Sequence, residues 1–249
     1  MKGTHFPIAL GALVLIASAG CAKPRPPLPA VRWGNDVAAA QRILIERAQS
    51  VQTVSATGLL TLTRPDGESV RFDAAMVTAP PDRLRLRAWK IGRAIFDLTL
   101  TPDGLWLLSP RDDSLRDKVK QAGVGAGELA KQWALLSGAF FEREDLVAAI
   151  RGGDLILSAP QDELTIRAVI DRRTLVPRRY VLSDARGRTR FSLRLDDYRM
   201  IGDTPYPHRA LAESESGRIL IQLDEVELNT ELAPAAFTPP RRAEKIDPP

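Results

Sequence analysis

Arg83-Leu84-Arg85-Leu86-Arg87-Ala88 alternates a cationic residue with an apolar one at every step, the period of a strand whose successive side chains leave opposite faces of a sheet. One face suits water and the other needs cover. Working outward, Ile91-Gly92 is a turn, residues 93–101 carry the chain back, and Pro102-Asp103-Gly104 turns again into Leu105-Trp106-Leu107-Leu108-Ser109. In the other direction Pro80-Pro81-Asp82 opens the strand. Residues 54–63 and 69–77 form a hairpin through Arg64-Pro65-Asp66-Gly67. Five strands joined by such short connections are antiparallel neighbours.

The rest of the chain extends this pattern. Asn35-Asp36 supplies an N-cap for Val37, Ala40, Ile43, Leu44 and Ala48, spaced as one face of an amphipathic helix. Residues 128–139 put Leu129, Trp133 and Leu136 at helical spacing, and 143–150 read as a further helical segment. Strand patterns resume at 154–158, 163–171, 178–183, 188–195, 207–212 and 218–228, separated by polar turns. The expectation is a mainly β chain of about eleven strands with a leading helix and a central helical insertion. An antiparallel sheet of that size twists until it curls or closes. Pro239-Pro240 and Pro248-Pro249 mark 239–249 as a loose tail, and no repeat or linker divides the chain.

Of 249 residues, 44% are hydrophobic and 27% charged, enough apolar surface for a sizeable core and too much for a disordered chain. Lys and Arg exceed Asp and Glu by only four, which excludes nucleic acid as the expected partner. The single Cys excludes an internal disulfide, and with two His it excludes the usual zinc clusters, so no metal or cofactor is expected. The acidic pairs Asp112-Asp113, Glu144-Asp145 and Asp196-Asp197 are sequence neighbours, which diverge in a strand or helix and do not make a paired catalytic carboxylate site. His208 has no nucleophile motif beside it and is expected at the surface. Arg83, Arg85, Arg87, Arg188, Arg190 and Arg194 are expected on a solvated face beside Asp and Glu. Nothing here points to an enzyme.

Residues 1–20 have a basic start, a short apolar run and the small residues Ala17-Ser18-Ala19-Gly20, the layout of a secretory signal peptide. Ser18-Ala19-Gly20-Cys21 resembles the lipobox of bacterial lipoproteins, with Ser18 where Leu is usual; the resemblance implies that Cys21 becomes the acylated N-terminus. Ala22 follows where Asp would resemble an inner-membrane retention signal, which implies the outer membrane. Residues 21–34, with Pro24, Pro26, Pro27 and Pro29, are expected as an extended tether. The folded domain is expected over 35–238.

A helix, a five-strand meander, a helical insertion and six further strands behind a lipoprotein signal resemble the LolA and LolB superfamily of bacterial lipoprotein-carrier and acceptor proteins. Val54-Ser55-Ala56-Thr57-Gly58, Pro81-Asp82-Arg83-Leu84-Arg85-Leu86, Asp103-Gly104-Leu105-Trp106-Leu107-Leu108 and Val226-Glu227-Leu228-Asn229 carry the similarity. It implies a single curved antiparallel sheet forming an open, incomplete β-barrel lidded by helices. Leu84, Leu86, Leu164, Ile166, Phe191, Leu193, Leu195, Ile219 and Ile221 give the strands an apolar side, and with Trp106, Leu129, Trp133 and Leu136 they are the expected lining of a hydrophobic cavity. A core simply filled by its helices is the alternative.

The resemblance, closest to the LolB-like lipoproteins, implies a lipid-anchored monomer on the periplasmic face of the outer membrane. It would take acylated cargo, lipoprotein or lipid, from a periplasmic carrier and help insert it. An envelope assembly protein that binds a protein partner is the rival reading. Ile91-Gly92 matches a LolB loop whose exposed apolar residue places cargo in the membrane, with Lys90 where Pro is common. Ile91 is expected either to insert into a membrane or to fold back on Trp89 and the barrel rim.

Overall fold

The computed structural model describes residues 26–109, 135 and 137–246. The helix α1 spans Val37–Gln49, and the Asp36 carboxylate caps it by accepting from the backbone N–H of Ala38 and Ala39. Thirteen strands follow: β1 (Val54–Thr63), β2 (Ser69–Ala79), β3 (Arg83–Lys90), β4 (Arg93–Thr101), β5 (Gly104–Leu108), β6 (Val147–Arg151), β7 (Asp154–Gln161), β8 (Leu164–Asp171), β9 (Pro177–Asp184), β10 (Thr189–Ile201), β11 (Thr204–Ser214), β12 (Gly217–Leu228) and β13 (Glu244–Ile246). They form one sheet in the order β13-β5-β4-β3-β2-β1-β12-β11-β10-β9-β8-β7-β6. The order joins two meanders through the antiparallel pair β1 and β12, where Val54 faces Leu228. The outer strands β13 and β6 do not pair with each other, so the curved sheet is an open barrel.

All eleven expected strands are present, and two more stand where other structure was expected. Residues 143–150, expected as a further helical segment, are not helical, and Val147–Arg151 is β6. Gly152, with φ +57°, turns a hairpin that sets Ala148 against Leu157 and Ile150 against Leu155, and cross-strand pairing overrides local propensity. The expected loose tail is likewise ordered as far as Ile246. There β13 pairs with β5, and Ile246 packs opposite Leu105 with 2% of its surface exposed. The domain also begins before residue 35. Val31 N–H donates to the Arg173 carbonyl, and buried Trp33 donates its indole N–H to the Arg172 carbonyl at 2.8 Å.

The apolar residues form two clusters on the concave face. One lies between α1 and the strands β7 to β10, where Ala40 and Leu44 meet Phe140, Phe141, Tyr180 and Leu195. A 3-10 turn at Ala139–Glu142 supplies the two phenylalanines, whose rings pack edge-on to each other and, from Phe140, to Tyr180. Gly138 begins it at φ +80°, tight against Ala48 of α1, where both the backbone angle and the space require glycine. The second cluster lies on β1 to β5 and β12 and includes Leu60, Met76, Leu84, Phe96, Leu100 and Leu223.

Candidate functional site

Cross-strand register places Leu84, Leu86, Leu164, Ile166, Phe191, Leu193, Leu195, Ile219 and Ile221 on one continuous face. Leu84 pairs with Leu100, Ile166 with Leu182, Phe191 with Leu182, Leu193 with Ala212, Leu195 with Ala210, and Ile219 and Ile221 with Leu62 and Leu60. This is the concave wall. Trp106 is not part of it: it pairs with Thr99, and therefore leaves β5 on the convex face while Leu105 and Leu107 point inward. There Lys245 of β13 lies 5.9 Å over its ring. Leu129, Trp133, Leu136 and Cys21 lie outside the described residues.

The cationic face of β3 is also convex. Arg85 grips Asp97 through two bonds of 2.9 and 2.8 Å and donates a third to the carbonyl of Ala236, and the bond to Asp97 raises the guanidinium pKa further. Arg188 and Arg190 meet Asp184, and Arg194 meets Asp196. Arg188, Arg190 and Arg194 are thus paired with carboxylates as expected, whereas the Arg85–Asp97 pair is largely buried rather than solvated. His208, in contrast, is buried and faces the carbonyl of Tyr206. Among the described residues no cluster of His, Cys, Asp or Glu could hold a metal ion, and no helix is long and apolar enough to cross a membrane.

A cavity of about 110 Å³ opens beneath the last turns of α1. Its walls are mainly apolar, with Leu44, Val54, Phe141 and Leu195 among them, but Arg47, Thr78, Tyr180, Tyr198 and Tyr206 also line it. These polar residues come from α1, β2, β9, β10 and β11. Burial keeps all three phenols protonated, raising their pKa, and lowers that of Arg47. None of this constellation was singled out in the sequence, because it depends on pairings between distant strands.

The opposite end of the sheet carries the turns after β1, β3 and β11, and here the concave wall reaches solvent. Ile219 is 46% exposed and Val70, paired with Leu62, is 37% exposed. At the same end Ile91 projects from the β3–β4 hairpin with 89% of its surface exposed, so it does not fold back against Trp89. Its φ is +49° and that of Gly92 is +69°, the pair of left-handed residues that a two-residue hairpin demands. Glycine meets that demand freely, whereas a β-branched residue in this region is strained. Lys90 and Arg93 pair across the base of the turn, and both are exposed.

No protein-family model matches the chain, and no curated protein matches it. Solved structures do. A DUF1329 family protein from Desulfovibrio piger superposes with a TM-score of 0.57 at 10% identity, covering 81% of this chain and 96% of the other. A domain of an outer membrane lipoprotein-sorting protein from Vibrio parahaemolyticus gives 0.55 at 11% identity, with 80% and 95% covered. A LolA superfamily protein from Nitrosomonas europaea gives 0.53 at 13% identity, with 80% and 97% covered. The open barrel with its leading helix is thus a LolA-like fold, shared with these three structures.

Proposed function

We propose that this chain is a non-enzymatic lipoprotein, anchored through Cys21 to the periplasmic face of the outer membrane. It shelters acyl chains of lipid or lipoprotein cargo on its concave wall and helps insert them into the membrane. The observation that carries the reading is the β3–β4 hairpin. A strained, 89% exposed Ile91 stands between Lys90 and Arg93 at the end of the barrel where apolar wall residues reach solvent. An apolar tip flanked by cations suits a bilayer surface bearing anionic headgroups. The cavity of 110 Å³ is smaller than the ~150 Å³ that holds a benzene, so a whole acyl chain enters only if α1 lifts from the sheet.

Transfer of bound acylated cargo to liposomes tests this. Ile91→Glu should leave the thermal midpoint and cargo binding unchanged while slowing transfer about tenfold, since it removes the burial of one large apolar side chain. Transfer at the wild-type rate would sink the reading.

A protein partner is the second reading, and β6 is the observation that favours it. Among the described residues this edge strand has one unpaired side, and it exposes Val147 to 69% and Ile150 to 39%, features that accept an added strand.

A further inference from the structure

The cavity under α1 combines apolar walls with hydrogen-bonding capacity that the protein does not use. Arg47 spends one nitrogen, Nη1, on the carbonyls of Thr174 and Leu175 at 2.8 and 2.9 Å. Its Nε and Nη2 make no hydrogen bond, and no carboxylate lies within 4.0 Å of it among the described residues. Thr78 is fully buried, and its hydroxyl has no partner among the described residues. Tyr180 and Tyr206 also line the space, and their hydroxyls have no hydrogen bond among the described residues. Among the described residues no Asp or Glu lines the cavity. A buried polar group without a partner is destabilising; the Thr78 hydroxyl is one, and two phenols able to donate line the same cavity as the guanidinium.

From this convergence we infer that the cavity binds the anionic head of a single-chain amphiphile, a carboxylate or a phosphate monoester, with Arg47 as counter-ion. Thr78, Tyr180 and Tyr206 donate to the remaining head oxygens. A guanidinium and hydroxyls solvate an oxyanion, whereas an uncharged ester head would leave the cation unpaired in an apolar wall. The volume of about 110 Å³ admits one such head and little of its chain, and it is too small for a glycerol bearing several chains. The inference rests on the acyl-cargo reading and narrows its cargo to acids.

The test is equilibrium dialysis of the full chain in nonionic detergent against radiolabelled octanoate, octyl phosphate and octanol, each corrected for partition into empty micelles. Octanoate or octyl phosphate should bind saturably and at least about tenfold more tightly than octanol, and the ratio of the two anions distinguishes a carboxylate from a phosphate head. Arg47→Gln should weaken the anions by about tenfold or more and leave octanol unchanged, the loss of a charged hydrogen bond. Since Arg47 also holds two loop carbonyls, Thr78→Val serves as the second variant. It should weaken the anions about threefold without lowering the thermal midpoint, because its hydroxyl has no protein partner. Equal binding of octanol and octanoate, or anion affinity unaltered in both variants, would overturn the anionic head and leave the acyl-cargo reading standing. No saturable binding of any of the three would overturn both.

Discussion

The side-chain amide of Asn229, just past the end of β12, donates to the carbonyl of Ser50 at the end of α1 over 2.8 Å. Its oxygen accepts from the backbone N–H of Gln52 at 2.8 Å. One side chain thereby closes the backbone groups left open where the helix stops and fixes the helix to the middle of the sheet. Asn229 itself has φ +58°, which Asn tolerates better than most residues. Asn229→Ala should therefore cost about 1–2 kcal/mol in urea unfolding, more than a surface substitution. A change below about 0.5 kcal/mol would show that the clamp adds nothing.

Ile91→Asn isolates the strain at the hairpin tip from its chemistry. Asn suits the left-handed position, so this variant should raise stability by about 0.5–1 kcal/mol, measured by thermal or urea unfolding. A fall in stability would mean that Ile91 contributes to packing, contrary to its exposure.

Cys21→Ala should leave the domain folded and release it from the membrane fraction. Mass spectrometry of membrane-extracted wild type should show Cys21 acylated at the mature N-terminus, and an unmodified thiol there would refute the anchor.

Ile246→Ala should cost about 2–4 kcal/mol, which no loose tail would do, because Ile246 is buried opposite Leu105. Chemical denaturation measures this, and an unaltered midpoint would return the segment to the status of a tail.

Asp184 accepts from the backbone N–H of Arg188 and Arg186 and from the Arg188 side chain, which together hold its pKa below the usual carboxylate value. Asp171 is also lowered. Burial alone would raise it, but bonds from Thr174 and the Arg173 N–H prevail. Since the folded values lie below the unfolded ones, these carboxylates stabilise the fold fully above about pH 3.9 and lose that effect as pH falls through the folded values. The thermal midpoint should thus be flat from neutrality to about pH 5 and fall below about pH 4. The difference between wild type and Asp184→Asn should narrow over the same acid range, and a constant difference would contradict the assignment.

The alternation in Arg83-Leu84-Arg85-Leu86-Arg87-Ala88 predicts the faces of β3 correctly because a period of two is a local property. Trp106 shows where local reading ends. Leu105-Trp106-Leu107-Leu108 is apolar throughout, so only its register against Thr99 tells which face the indole takes. The helical assignment for 143–150 failed for a related reason, since a short apolar run fits both periods until Gly152 turns it into a hairpin. The turn at Ile91-Gly92 was legible in the sequence, whereas the outward projection of the Ile91 side chain was one of two alternatives until its exposure settled it. The cavity was not legible: Arg47, Thr78, Tyr180, Tyr198 and Tyr206 are distant in sequence and meet only after the sheet has formed.

The junction of the two meanders also sets the order in which this protein can be completed. Thr53 donates its hydroxyl to the carbonyl of Thr230, 177 positions along the chain, and β1 finds its second neighbour only in β12. As the polypeptide emerges from the ribosome N-terminus first, the first meander appears with one side of β1 bare. It stays so until almost all of the remainder has followed. Long-range pairing of this kind slows folding and leaves a sticky interval before closure. The interval before β12 is made is, in consequence, the stage at which this sheet is most vulnerable to pairing with the wrong chain.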